Sequence, residues 1–179
     1  MENELQKIIY SKWDLQQSLS SLTFLLQEYD IENMNNYSNE DLRKFKSYET
    51  ASIISFSRPF IPTRNGKCIN LKDLKVNLTK NENFLKHKII NLRNKIVAHS
   101  DEDYMDFQLI NRKLSSSGSY FLLEKYNENL LLDNNELCKF EILIHSIMTK
   151  IEEYLFDISQ KDPEILNYFK DRKNEKRIN

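Results

Sequence analysis

Apolar residues recur at alternating three- and four-residue steps along four stretches of the chain, the spacing that gathers them on one face of an α-helix. Leu5, Ile8, Leu15, Leu19, Leu22, Leu26 and Tyr29 mark a long first helix, with one gap in the stripe at Lys12. Leu42, Phe45, Tyr48, Ile53 and Phe56 mark a second, opened by a capping box of Ser38 and Asp41 and stopped by Pro59. Leu85, Ile89, Leu92 and Ile96 mark a third, opened by Thr79 and Glu82, with His99 the next step on its stripe. Asp133 and Glu136 open the fourth, which carries Leu137, Phe140, Ile144, Ile147, Ile151, Leu155 and Ile158.

The segments between them read differently. Residues 59–78 form a long connection in which Pro59, Pro62 and Asn65-Gly66 break regular structure, although Leu71, Leu74 and Leu78 allow a turn or two of helix. Tyr104–Arg112 and Tyr120–Leu132 flank Ser115-Ser116-Ser117-Gly118-Ser119, a turn-rich break that suits a small hairpin, with short helices as the alternative. The expected fold is therefore mainly α: an antiparallel bundle of four to five helices, with a hairpin-like insert at 104–132 before the last long helix. Residues 1–160 are expected to form one domain and 161–179 a polar tail.

Composition agrees with this reading. Of 179 residues, 40% are hydrophobic and 30% charged, and 2 Gly and 3 Pro suit long helices with few tight turns. The start of the chain lacks the basic-then-apolar pattern of a secretory signal, and no stretch is apolar enough to span a membrane. Cys68 and Cys138 lack metal-ligand spacing and are too few for a disulfide framework, which points to reduced thiols in a cytoplasmic protein. The three histidines and two cysteines offer no HxxxH or CxxC pattern, so neither a metal nor a cofactor is expected.

Net charge is −1, but it is unevenly spread. Residues 58–97 hold ten Lys or Arg against Asp73 and Glu82, a balance of +8 that leaves −9 for the remainder. Such a basic stretch displaces counterions from a phosphate backbone, which makes RNA a candidate partner; Lys88, Lys95, Arg58 and Arg64 are its candidate phosphate contacts. It runs into Leu92-Arg93-Asn94-Lys95-Ile96-Val97-Ala98-His99, where a guanidinium, an amide and an imidazole lie close in sequence. A guanidinium grips non-bridging phosphate oxygens, and an imidazole moves protons near neutral pH. The carbonyls at a helix end, with Asp101, Glu102 and Asp103, favour the protonated form of His99.

Arg93 and His99 are six steps apart, which on an ideal helix separates them by about 120°. Either the helix unwinds near Ala98 or a second subunit supplies the partner across a two-fold axis. The scaffold alternative is that Arg93 pairs with a carboxylate of the first or last helix and His99 ends a core stripe. His87 and His145 read as surface residues, and Trp13, just off the first stripe, as packing.

Arg-Asn-Lys-Ile-Val-Ala-His at the end of a bundle helix resembles the Arg-(Asn/Asp/His)-x-His signature of the HEPN superfamily, whose motif allows four to six residues between Arg and His; here there are five. Size, the following Ser-Asp and the insert look most like its abortive-infection branch, small helical proteins linked to phage defence and toxin systems. The resemblance implies a homodimer with two facing Arg/His pairs, RNA as substrate, metal-independent cleavage by 2′-OH transesterification, and Arg93, Asn94 and His99 as catalytic positions. It also implies a possible protein antitoxin or inhibitor. In members silenced by a nucleotidyltransferase the motif continues His-x-Tyr, whereas Ser100 and Asp101 follow His99 here and Tyr104 is the nearest tyrosine. The superfamily also contains catalytically silent bundles that bind RNA or a protein partner, which is the alternative reading.

Overall fold

The computed structural model describes residues 2–30, 36–62, 68–98, 107–115, 118–125 and 129–163. Four helices account for most of them: α1 (Glu2–Glu28), α2 (Asn39–Ser57), α3 (Lys80–Ala98) and α4 (Asn134–Lys161). The three expected capping boxes all form. Asp41 N donates to Ser38 Oγ and Ser38 N to Asp41 Oδ2; Glu82 with Thr79, and Glu136 with Asp133, make the same reciprocal pair. Each box satisfies two main-chain donors, so these starts are fixed locally.

α1 packs against α2 and α4, and α3 packs against the same two helices. Contacts between α1 and α2 run in opposite senses along the chain: Asp14 meets Arg58, Ser18 meets Ser52, and Glu28 meets Lys44, so the two are antiparallel. At their crossing Ser18 and Ser52 are both fully buried, with hydroxyls 3.0 Å apart and each donating to the other's carbonyl. Small side chains let the backbones approach, and the reciprocal bonds spare both hydroxyls the cost of burial. This also explains the gap at Lys12. The innermost row of α1 passes through Ile8, Ser11, Leu15, Ser18, Leu22 and Leu25, while Leu19 and Leu26 lie half-buried beside it.

The core is continuous between the helices, with Phe56 of α2 edge-on to Phe140 of α4 at 4.9 Å between ring centres. α3 contributes Leu85, Ile89 and Leu92, and α4 contributes Leu137, Phe140, Ile144, Ile147 and Ile151 as the stripes predict. Leu143 and Met148 widen the buried face of α4, whereas Leu155 and Ile158 are only half-buried. Trp13 does not pack as expected; it is 61% exposed, because it faces away from α2 and α4 on the outer side of α1.

After α2 the chain makes a 3-10 turn at Arg58–Phe60, and Ile69 N returns to Pro59 O at 2.9 Å. A single turn follows at residues 71–75. Val76 N donates to Leu71 O and Lys75 N to Lys72 O, with Lys75 at φ 55°. That six-to-one and five-to-two pair, closed by a left-handed residue, is a Schellman motif. Buried Leu74 and Val76 anchor the turn to the core. Phe107–Ser115 (β1) and Gly118–Lys125 (β2) form a two-stranded antiparallel ladder, with Leu109 opposite Leu123 and an irregularity between Lys113 and Ser115. The tail from residue 164 onward, and Ser116 and Ser117 of the serine run, lie outside the described residues. Among the described residues no helix is long and apolar enough to cross a membrane.

Candidate nucleic-acid interface

The core stripe of α3 turns Leu85, Ile89 and Leu92 inward, which leaves the rest of the helix to carry charge. Lys86, Ile90 and Arg93 are spaced four and three residues apart, so they form a second row, with Lys86 and Arg93 about 20° apart in rotation and about 10 Å apart along the axis. His87 and Asn94 repeat that relation one position on.

Arg93 is half-buried and Asn94 exposed. Arg93 Nη1 donates to Asn94 Oδ1 at 3.2 Å, so the amide holds one arm of the fork. Arg93 Nε is buried with no hydrogen-bond partner. Among the described residues no carboxylate pairs with this guanidinium, so the scaffold alternative of an ion pair to α1 or α4 finds no support there. A cation in this condition retains most of its capacity for an oxyanion. His99 follows Ala98, the last residue of α3, and lies outside the described residues, as does Arg64.

The other candidate phosphate contacts differ among themselves. Lys88 Nζ donates to Glu136 Oε1, and the second oxygen of Glu136 accepts from Asp133 N, so one carboxylate caps α4 and neutralises Lys88. Arg58 pairs with Asp14 at 3.1 Å. Lys95 is exposed near the end of α3. The uncompensated charge sits elsewhere: among the described residues Lys72, Lys75, Lys80 and Lys86 have no carboxylate partner.

Lys72 and Lys86 open onto a cleft of about 480 Å³ between the turn after Asn70 and the N-terminal half of α3. Phe60 and Ile90 form apolar walls, and His87, Asn70, Asn77 and Asn83 complete the polar lining. Lys86 Nζ stands 5.5 Å from the centre of the Phe60 ring, a cation–π contact, and burial pushes the Lys86 ammonium below its ordinary pKa. Neither Lys72 nor Lys86 stands out in the sequence as a site residue, and the cleft has no local signature. The seven-residue relation of Lys86 to Arg93 is readable in the chain; the return of residues 69–78 against α3 is not.

His87 and His145 are exposed, as expected of surface histidines. Cys68 and Cys138 are free thiols. Among the described residues no three His, Cys, Asp or Glu side chains converge as a metal site would need. No protein-family model, no curated protein and no solved structure matches the chain.

Proposed function

We propose that the chain is a metal-independent endoribonuclease of the HEPN type, a homodimer acting in phage defence or as a toxin, with Arg93, Asn94 and His99 as its catalytic residues. The observation that carries this reading is Arg93 itself: a guanidinium in the last turns of α3, steadied by Asn94, with no carboxylate partner among the described residues, six positions before a histidine. A structural arginine in a half-buried site is ordinarily paired, because leaving the charge uncompensated costs stability.

In the reaction, the 2′-oxygen attacks the adjacent phosphorus, the 2′-O–P bond forms and the P–O5′ bond breaks, leaving a 2′,3′-cyclic phosphate and a 5′-hydroxyl. Arg93 neutralises the non-bridging oxygens as their charge grows, and Asn94 keeps the guanidinium plane fixed. One imidazole accepts the 2′-OH proton and a protonated imidazole supplies the 5′-oxygen. Two copies of His99 in a dimer fill both roles, which also removes the need for Arg93 and His99 of one chain to share a helix face.

The test is incubation of wild type and His99→Ala with total RNA in EDTA, with cleaved ends assayed for cyclic phosphate. Cleavage that disappears in the variant supports the reading. Folded wild type that leaves RNA intact overturns the nuclease assignment in favour of a silent bundle that binds RNA or a protein partner.

A further inference from the structure

The cleft beside α3 has three properties that belong together. Among the described residues its lining contains two lysines and a histidine but no acid. Its volume of about 480 Å³ falls within the roughly 300–1,000 Å³ usual for small-ligand sites. Its Lys86 lies on the same row of α3 as Arg93, about 10 Å towards the helix start.

We propose that this cleft is a nucleotide subsite for single-stranded RNA, in which Lys72 and Lys86 hold a phosphate and the apolar wall at Phe60 and Ile90 receives the attached nucleoside. The proposal rests on the nuclease reading for its choice of ligand. The charge favours an anion, and the walls favour one carrying a flat apolar group, a combination that a nucleotide supplies and inorganic phosphate does not. Lys86 is positioned before any ligand arrives, because the Phe60 ring holds its ammonium by cation–π attraction and limits its rotamers. Burial without a counter-charge disfavours that ammonium, and a bound phosphate reverses the penalty. A strand gripped at Arg93 and running along α3 towards its N-terminus reaches Lys86 within about 10 Å, so the subsite adds affinity along that path.

Equilibrium binding of a fluorescent single-stranded RNA to the full chain, in EDTA and across a salt series, tests this. A His99→Ala background keeps the probe intact. Lys72→Ala/Lys86→Ala should weaken binding roughly tenfold and flatten the slope of log K against log salt by about 0.7, the loss of one single-strand phosphate contact. Lys75→Ala/Lys80→Ala removes the same charge from exposed positions outside the cleft and should change affinity by less than about threefold. Equal losses in the two double variants, or none in either, overturn the subsite, as does folded protein that binds no RNA. RNA binding with the expected pattern but without cleavage by wild type leaves the subsite standing and removes only the nuclease reading. The first pair of lysines makes no ion pair among the described residues, so the contact of Lys86 with the Phe60 ring is the one the double variant gives up; Lys86→Arg, which keeps charge and ring contact, should retain most of the affinity.

Discussion

Glu49 Oε1 accepts the backbone N–H of Leu132 at 2.8 Å and that of Leu131 at 2.7 Å. The carboxylate is 1% exposed within α2, and its second oxygen lies 3.0 Å from Lys46 Nζ, which also donates to Asn129 O. One buried acid therefore ties the segment leading into α4 to the middle of α2. Replacing it with alanine strands one buried and one partly buried main-chain donor and removes the counter-charge of Lys46. Glu49→Ala is expected to cost about 3–5 kcal/mol, a large share of an ordinary domain's stability, and Glu49→Gln less, since its carbonyl still accepts both N–H groups. Urea titrations of the three proteins check this: both variants should lower the midpoint in that order, with unchanged slope.

Lys75 is the single described non-glycine residue with positive φ, and it closes the turn that forms one wall of the cleft. A Cβ in this region costs about 1–2 kcal/mol, while glycine's extra freedom in the unfolded chain returns about half of it. Lys75→Gly is expected to stabilise the fold by about 0.5–1 kcal/mol, whereas Lys75→Val should destabilise it. Thermal unfolding of the two variants gives opposite signs if the left-handed closure is required.

Local signals were the legible ones. Ser38 with Asp41, Thr79 with Glu82 and Asp133 with Glu136 are three residues apart, and each formed the cap that its spacing announces. The stripes likewise placed Leu15, Phe45, Ile89 and Ile144 in the core. What the chain concealed depends on distant partners. Nothing near Glu49 distinguishes it from a solvated helix acid, since the amides it serves are 82 and 83 residues away. Ser18 looks like a polar interruption until α2 lies across it. In the candidate site Arg93 and Asn94 stood out by residue type, but that Lys88 and Arg58 are neutralised followed from where Glu136 and Asp14 fall.

Asp41 carries the pH prediction. Its carboxyl is held below the usual aspartate range, first by the Ser38 hydroxyl, then by the Ser38 amide, with Lys44 adding a smaller contribution. A folded-state value below the unfolded one contributes stability that is complete above the ordinary aspartate range and is lost as pH falls through the lowered value. Asp41→Asn keeps an acceptor for the Ser38 amide but loses the charge. The variant should be less stable than wild type at neutral pH, and the gap should close on acidification; a gap independent of pH would assign the effect to packing.

Arg93 separates scaffold from site most directly, because its two possible roles move stability and activity in different ways. With no carboxylate partner among the described residues and a buried Nε that lacks an acceptor, Arg93→Ala removes an unsatisfied donor and one exposed hydrogen bond to the neighbouring Asn94. Its unfolding free energy should stay within about 0.5 kcal/mol of wild type, whereas an arginine bracing the fold through a buried ion pair would cost about 3–5 kcal/mol. RNA cleavage under the proposed mechanism should fall by roughly 10²–10³ in kcat, the effect of losing one preorganised donor to a developing oxyanion. Arg93→Lys should recover little of it, since an ammonium neither spans two phosphate oxygens nor presents a planar arm to Asn94 Oδ1. Measured together on one preparation, unchanged unfolding with lost cleavage places Arg93 at the reacting phosphate. Large destabilisation with proportionate loss of activity returns it to the scaffold.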